Sequence, residues 1–242
     1  MVVNAPNLRL TARDREIFWH VLRYGLATQE GVYRQFFDAL ANKPDAARSN
    51  LRRLCDGGYL TYFADPIPYY RLTPAALEVI EPLLGVPTGT YPYASTPLRT
   101  PQLIERLAIH AFCCLADLPR RALLQHEFRH AFPQLSHDRI PAWPYYLEST
   151  PQGSVLCLIV VDTGSQTGEQ TRKIGRRLKH RMKVQAFREL ANAGRFQVTI
   201  LTTTGQRASE IAAVVTENQV QGVRIEPVPH LTRILLGVEP IP

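Results

Sequence analysis

The sequence predicts a chain in two parts, a small α+β domain and a larger α/β domain, joined by a proline-rich linker. Three observations predict it. Four helical patterns and an aromatic hairpin crowd residues 1–84. Residues 85–101, GVPTGTYPYASTPLRTP, hold four prolines among Gly, Ser and Thr, which fit no packed element and read as a linker or extended arm. Over residues 102–242, near-continuous apolar strands alternate with helical patterns. With 242 residues, 45% of them hydrophobic and 20% charged, the chain has the balance of a soluble protein with real cores.

The first domain can be read element by element. Thr11 caps a helix that runs to Tyr24 and closes at Gly25, with Ile17, Phe18, Val21 and Leu22 at helical spacing. Thr28 caps a second helix through Phe37. Asp45 caps a third, whose Ala47, Leu51 and Leu54 form an i, i+4, i+7 stripe, and the Gly57-Gly58 pair stops it. Tyr59–Phe63 predicts a strand, Ala64–Pro68 a turn and Tyr69–Leu72 the returning strand. Thr73-Pro74 opens a fourth helix, with Thr at the cap and Pro at the first helical position. Three helices, a hairpin and a closing helix make a winged helix-turn-helix.

In the second domain, Pro101 to Leu118 predicts a helix and Arg120 to Phe132 another, with Pro119 breaking the chain between them. Pro144 to Glu148 predicts a short aromatic strand, and Val155 to Asp162 a strand buried on both faces. A long helix is expected from about Gly168 to Ala193, a strand over Phe196–Thr202, a helix over Arg207–Glu217 and a last strand over Val223–Val228.

The net charge of +7 is unevenly placed. Residues 1–84 carry 10 basic and 9 acidic side chains, residues 85–242 carry 18 and 12. Seven of those 18 lie in RKIGRRLKHRMK, Arg172 to Lys183, so the excess is one local patch. A dense patch of this kind suits a phosphate backbone. The longest apolar run, Val155–Val161, is far short of the roughly 20 residues of a membrane span, and the first twenty residues hold no signal-peptide core. Cys55, Cys113, Cys114 and Cys157 show no C-x-x-C spacing. The expectation is a cytoplasmic protein with reduced thiols and no membrane partner.

These features predict binding to double-stranded DNA. On the third helix the core stripe leaves Arg48, Ser49, Arg52 and Arg53 available to base edges and phosphates. The wing would place Tyr69, Tyr70 or Arg71 against the backbone or minor groove, although Tyr62, Phe63 and Tyr69 also suit cross-strand packing. In the second domain Arg172, Lys173, Arg176, Arg177, Lys179, Arg181 and Lys183 would hold phosphates, with Ile174, Leu178 and Met182 as the buried stripe. A two-fold homodimer is expected, because two recognition helices one DNA turn apart multiply specificity. The other reading of a nearly neutral first domain is a protein-interaction adaptor.

Several segments carry a resemblance to a known family. They are LTARDREI at Leu10–Ile17, RRLCDGGYL at Arg52–Leu60, YRLTPAA at Tyr70–Ala76, His137-Asp138, LIVVDTGSQ at Leu158–Gln166 and TILTTTGQR at Thr199–Arg207. Together they resemble the plasmid replication-relaxation family, in which a winged helix precedes a restriction-endonuclease-like, PD-(D/E)XK domain. The resemblance implies a DNA-binding protein of a bacterial mobile element, acting in plasmid replication, transfer or transcription control. Asp138 and Asp162 match the family's P-D and L-x-E-x-D-x-G-T segments, whereas Val160 stands where the acid of the central strand would be. With no third carboxylate and no Lys in the E-x-K place, a Mg²⁺ nuclease site is incomplete. Asp162 therefore reads as a cap or turn residue, and neither a catalytic centre nor a cofactor is expected. The alternatives are a metal-dependent nuclease or a hydrolase using His126-Glu127-Phe128-Arg129-His130, which fits H-E-x-x-H without an evident third ligand. No G-x-S-x-G, P-loop or Rossmann glycine pattern occurs.

Overall fold

Thr11 and Asp14 start the first helix through a reciprocal pair of bonds. The Thr11 hydroxyl accepts from the Asp14 N–H, and the Asp14 carboxylate accepts from the Thr11 N–H. Helix α1 (Ala12–Tyr24) then runs until Gly25, at φ 73°, turns the chain left-handed. This computed structural model describes residues 8–38, 43–84, 96–115, 120–136, 144–151, 153–162, 175–176, 179–217 and 222–228. The chain forms two compact units, Met1–Arg106 and Leu107–Pro242.

In the first unit α1 is followed by α2 (Gln29–Phe36), α3 (Lys43–Asp56), β1 (Leu60–Phe63), β2 (Tyr69–Leu72) and α4 (Pro74–Leu84). The Thr28 hydroxyl caps α2 by accepting the Gly31 N–H at 3.1 Å. Asp45, expected as the cap of the third helix, lies inside its first turn, because α3 begins at Lys43. Ile17, Phe18, Val32, Ala47, Leu51, Leu54 and Ile80 are fully buried and form the core that the helical spacing predicts. The hairpin strands pair antiparallel from Leu60 opposite Leu72 to Phe63 opposite Tyr69, and Ala27 bridges Tyr70 through two backbone bonds of 2.9 and 3.0 Å. Thr73 ties the hairpin to α4. Its hydroxyl donates to the Gly58 and Tyr59 carbonyls and accepts from the Ala76 N–H.

The second unit is built on a five-stranded sheet, and the division between the units falls inside α5 (Thr100–Cys114). The strands are β3 (Arg120–Ala122), β4 (Tyr145–Thr150), β5 (Gly153–Val161), β6 (Phe196–Thr202) and β7 (Val223–Pro227), lying side by side in that order. The first two junctions are antiparallel and the last two parallel. Helices α6 (Gln125–Ala131), α7 (Gln185–Asn192) and α8 (Gly205–Glu217) contribute Phe128, Phe187, Ile211 and Val215 to one cluster with Tyr145, Leu156, Leu158, Val160, Val198 and Ile200. Phe128 stacks on Tyr145 with ring centroids 4.4 Å apart. Alternation along the strands sends Tyr146, Glu148, Cys157, Thr199 and Arg224 to the opposite face.

Two expected elements differ. The helix predicted from Arg120 to Phe132 begins only at Gln125. Arg120–Ala122 is an edge strand paired with Tyr146–Glu148, and its pairing partners lie too far along the sequence to leave a local sign. The long helix expected to Ala193 is broken: residues 182–184 form a turn and bend, and α7 restarts at Gln185. No helix among the described residues is long and apolar enough to cross a membrane.

Candidate nucleic-acid interface

Helix α3 divides cleanly by face. Ala47, Leu51 and Leu54 are 0% exposed, and on the opposite side Arg48, Ser49 and Arg52 stand in solvent. Arg48 lies 4.0 Å from Asp45, with Gln29 of α2 at 3.5 Å from its Nε, and Arg52 lies 3.9 Å from Asp56. The arginine side chains in these pairs are 68% and 85% exposed, so each pair is worth at most about 1 kcal/mol. Such cations can leave a carboxylate for a phosphate or a guanine edge at little cost. The acids beside them keep the free surface close to neutral.

Arg53 is half-buried and held by an ion pair to a buried acid, a correction to its expected place on the DNA face. Its Nη2 donates to the fully buried Asp14 carboxylate at 2.5 Å, which also accepts from Asn50 Nδ2 at 3.0 Å and from the Thr11 N–H. Burial alone would raise the Asp14 pKa. The hydrogen bonds from Arg53, Thr11 and Asn50 outweigh it and hold this carboxyl below its ordinary value.

The wing is corrected in the same way. All four residues of β2 are buried. Tyr69 is 0% exposed, stacks on Phe63 at 5.0 Å, and its hydroxyl accepts from the Leu98 N–H at 2.8 Å. Arg71 donates to the Gly25 carbonyl at 3.3 Å and the Thr96 carbonyl at 3.1 Å. Both side chains hold the arm at residues 96–98 and do not reach the surface where DNA would lie. Tyr70 is 9% exposed, and burial pushes its hydroxyl up to about 12. Tyr62, 49% exposed, packs across the hairpin against it with ring centroids 5.2 Å apart, as the cross-strand reading expects.

In the second unit Arg176, Lys179 and Lys183 are exposed as expected. Arg181 is not. It is 4% exposed and donates to the Tyr145 hydroxyl at 2.6 Å; standing three residues after Leu178 and seven after Ile174, it is set by helical spacing itself beside that apolar stripe. Arg172, Lys173, Arg177, Ile174 and Leu178 lie outside the described residues.

Two residues of the enzyme alternatives, Asp162 and Glu127, hold structural partners. Asp162, 1% exposed at the end of β5, pairs with Arg207 Nε at 2.5 Å, and Arg207 also pairs with Glu210 at 3.0 Å. That bond, donated to the Asp162 carboxylate, raises the Arg207 pKa. A guanidinium stands where a metal ion would have to approach Asp162, and the neighbouring Val160 is part of the apolar cluster. Asp138 and His137 lie outside the described residues. In H-E-F-R-H, Glu127 caps α6 by accepting the Leu124 N–H at 2.8 Å and binds Arg121, so its carboxylate is committed to holding the helix start. His130 is exposed and His126 half-buried on this seven-residue helix.

One constellation was not anticipated. On the sheet face away from α6–α8, Glu148 accepts two bonds from Arg224 at 2.9 and 2.7 Å, one from Arg120 at 3.4 Å and one from the Tyr146 hydroxyl at 3.2 Å. Glu226 pairs with both arginines, and Tyr146 also bonds Thr199 at 2.9 Å. The bond from Arg224 and its charge hold Glu148 below the ordinary carboxylate range, and the same bond raises Arg224. Two cations and two anions balance here, each paired with both groups of opposite charge. The alternation Tyr146-x-Glu148 and Arg224-x-Glu226 is the sequence signal that could have found it. Comparison with protein-family models, curated proteins and solved structures finds no match to this chain.

Proposed function

We propose that this chain is a sequence-selective binder of double-stranded DNA, a winged helix-turn-helix followed by a restriction-endonuclease-like α/β domain that performs no catalysis. The observation that carries the reading is the outward face of α3, where Arg48, Ser49 and Arg52 stand exposed over a fully buried stripe. A helix of this kind fits the major groove, and an arginine there can bond a guanine edge through two donors. Arg176, Lys179 and Lys183 add sequence-independent phosphate contacts. The second unit runs helix, strand, helix, strand, strand, helix, strand, helix, strand, with a helix between its first two strands, so the likeness to plasmid replication-relaxation proteins rests on the sequence segments. On that resemblance the output is replication, transfer or transcription control of a mobile element. The Asp162–Arg207 pair and the capping role of Glu127 favour a second domain that has lost, or never had, a metal site.

Arg52→Ala is expected to cost about 1–3 kcal/mol on the selected site and to relax preference at one base pair. Arg176→Ala is expected to weaken binding to all sequences alike and to flatten the salt dependence by about one unit. With Arg181 turned inward, six cations of the basic stretch remain for phosphate, so log K should fall with log salt at a slope of roughly −5. Selection of genomic fragments with the purified protein, followed by salt titrations, measures all three quantities. A selection that enriches no sequence overturns the reading. Pairing of two copies on half-sites one DNA turn apart predicts a homodimer. Light scattering is expected to report about twice the 27.3 kDa of one chain, and a monomer at micromolar concentration contradicts it.

A further inference from the structure

Within the basic stretch one arginine points inward and its neighbours point out. Arg181 Nε donates to the Tyr145 hydroxyl, and the guanidinium carbon lies 5.4 Å from the centroid of that ring. Tyr145 is itself immobilised: it is 0% exposed, stacks on Phe128 and lies 6.3 Å from the Phe187 ring. Met182 and Val184 pack against the same apolar cluster. The Val184 N–H donates to the Arg181 carbonyl at 2.9 Å, and Arg188 Nη1 donates to the Met182 carbonyl at 2.9 Å. Residues 181, 182 and 184 thus face the core, and Lys179, His180 and Lys183 face solvent.

We propose that Arg181 is a positioning residue for nucleic-acid binding: held by the Tyr145 hydroxyl, it fixes the helical end at 179–181 and the turn at 182–184 that follows, so that Lys179 and Lys183 present their charges to phosphates it does not touch. This rests on the DNA-binding reading above. Long lysine side chains on a loose helix end or turn lose entropy when they settle on a backbone, and a segment pinned to the sheet has less to lose. Burial raises the Tyr145 pKa, opposed by Arg181, so the hydroxyl remains a neutral partner at physiological pH.

The test uses the full chain with Tyr145→Phe, which removes only the hydroxyl, Arg181→Met, which keeps an apolar stem, and Lys179→Ala as a phosphate-contact control. Two readouts are taken: affinity for a random-sequence DNA duplex across a salt series, and the rate of trypsin cleavage after Lys179 and Lys183 in the folded protein. Tyr145→Phe and Arg181→Met should both speed cleavage and weaken affinity about threefold to tenfold at every salt, the cost of ordering one or two long side chains. Neither should change the salt slope, whereas Lys179→Ala should lower it by about one unit. A slope lowered by one in Arg181→Met, with Tyr145→Phe binding normally, makes Arg181 a phosphate contact and overturns the proposal. Unchanged affinity and unchanged cleavage in both variants, with only thermal stability reduced, also overturns it. If the unmodified protein binds no duplex while both variants are cleaved faster, the pin stands, the DNA reading fails and the positioning role fails with it.

Discussion

Replacing Arg53 by alanine is expected to destabilise the first unit by about 3 kcal/mol, the lower end of the range for losing one partner of a buried ion pair. The reason lies in what remains. Asp14 is fully buried, and without Arg53 its charge keeps only the Thr11 N–H and Asn50 as donors. The Arg53 side chain is 33% exposed, which sets the figure at the lower end. Arg52→Ala, one residue away and 85% exposed at its side chain, should stay within roughly 0.5 kcal/mol in stability while losing DNA affinity. The two variants therefore separate folding from recognition on adjacent positions of one helix. The sign of the pH dependence follows from the lowered Asp14 pKa. Its stabilising contribution is fully present above the ordinary value of 3.8 and is lost as pH falls through the folded value. The gap between the parent protein and Arg53→Ala should accordingly be widest near neutrality and narrow in acid. Urea unfolding at pH 7 and at pH 3 measures both, and a gap that widens in acid would show that Asp14 is not what Arg53 stabilises.

Arg53 also marks how far the residues could be read in advance. The helices of the first unit were legible because their signals are local: Thr11 with Asp14, Thr28 with Gly31, and a stripe of Ala47, Leu51 and Leu54 at helical spacing. The same stripe correctly left Arg48, Ser49 and Arg52 outside. It could not separate Arg52 from Arg53, because the partner of Arg53 is 39 residues away on another helix. Tyr69 and Arg71 are expected to face DNA as residues of a wing, yet all four residues of β2 are buried. Arg181 was misplaced by a different route. The chain turns at Met182–Val184 only after Arg181, and the helical period sets Arg181 three residues past Leu178 and seven past Ile174, beside the stripe expected to be buried. The strand at Arg120–Ala122 is three residues long and defined by pairing with Tyr146–Glu148, so nothing within its own segment distinguishes it from a helix start. Local order was legible, and long-range pairing was not.

Glu148→Ala is expected to be the most damaging single substitution considered, at about 3–5 kcal/mol. Glu148 binds Arg120 and Arg224 together, and its side chain is only 15% exposed. Removing it leaves two guanidiniums facing each other, one of them 6% exposed, with Glu226 as the remaining acid that the two share. Arg120 is further confined over the Phe112 ring at 3.9 Å, so it cannot swing into water without giving up that contact. Glu148→Gln keeps the shape and can still accept one bond, and should lose about half as much, because a hydrogen bond to a charged group is worth roughly 1.5–3 kcal/mol. If mutual repulsion of the stranded cations dominates, adding Arg224→Ala to Glu148→Ala should recover part of the loss, a coupling that a double-mutant cycle reads directly. The lowered Glu148 pKa gives this network the same acid sensitivity as Asp14: its contribution holds above the ordinary value of 4.5 and disappears as pH falls through the folded one. Denaturant unfolding of the five proteins (parent, Glu148→Ala, Glu148→Gln, Arg224→Ala and the double variant) at neutral pH tests the argument. A loss below about 1 kcal/mol for Glu148→Ala, the size of an ordinary surface pair, would mean that apolar packing alone holds this side of the sheet.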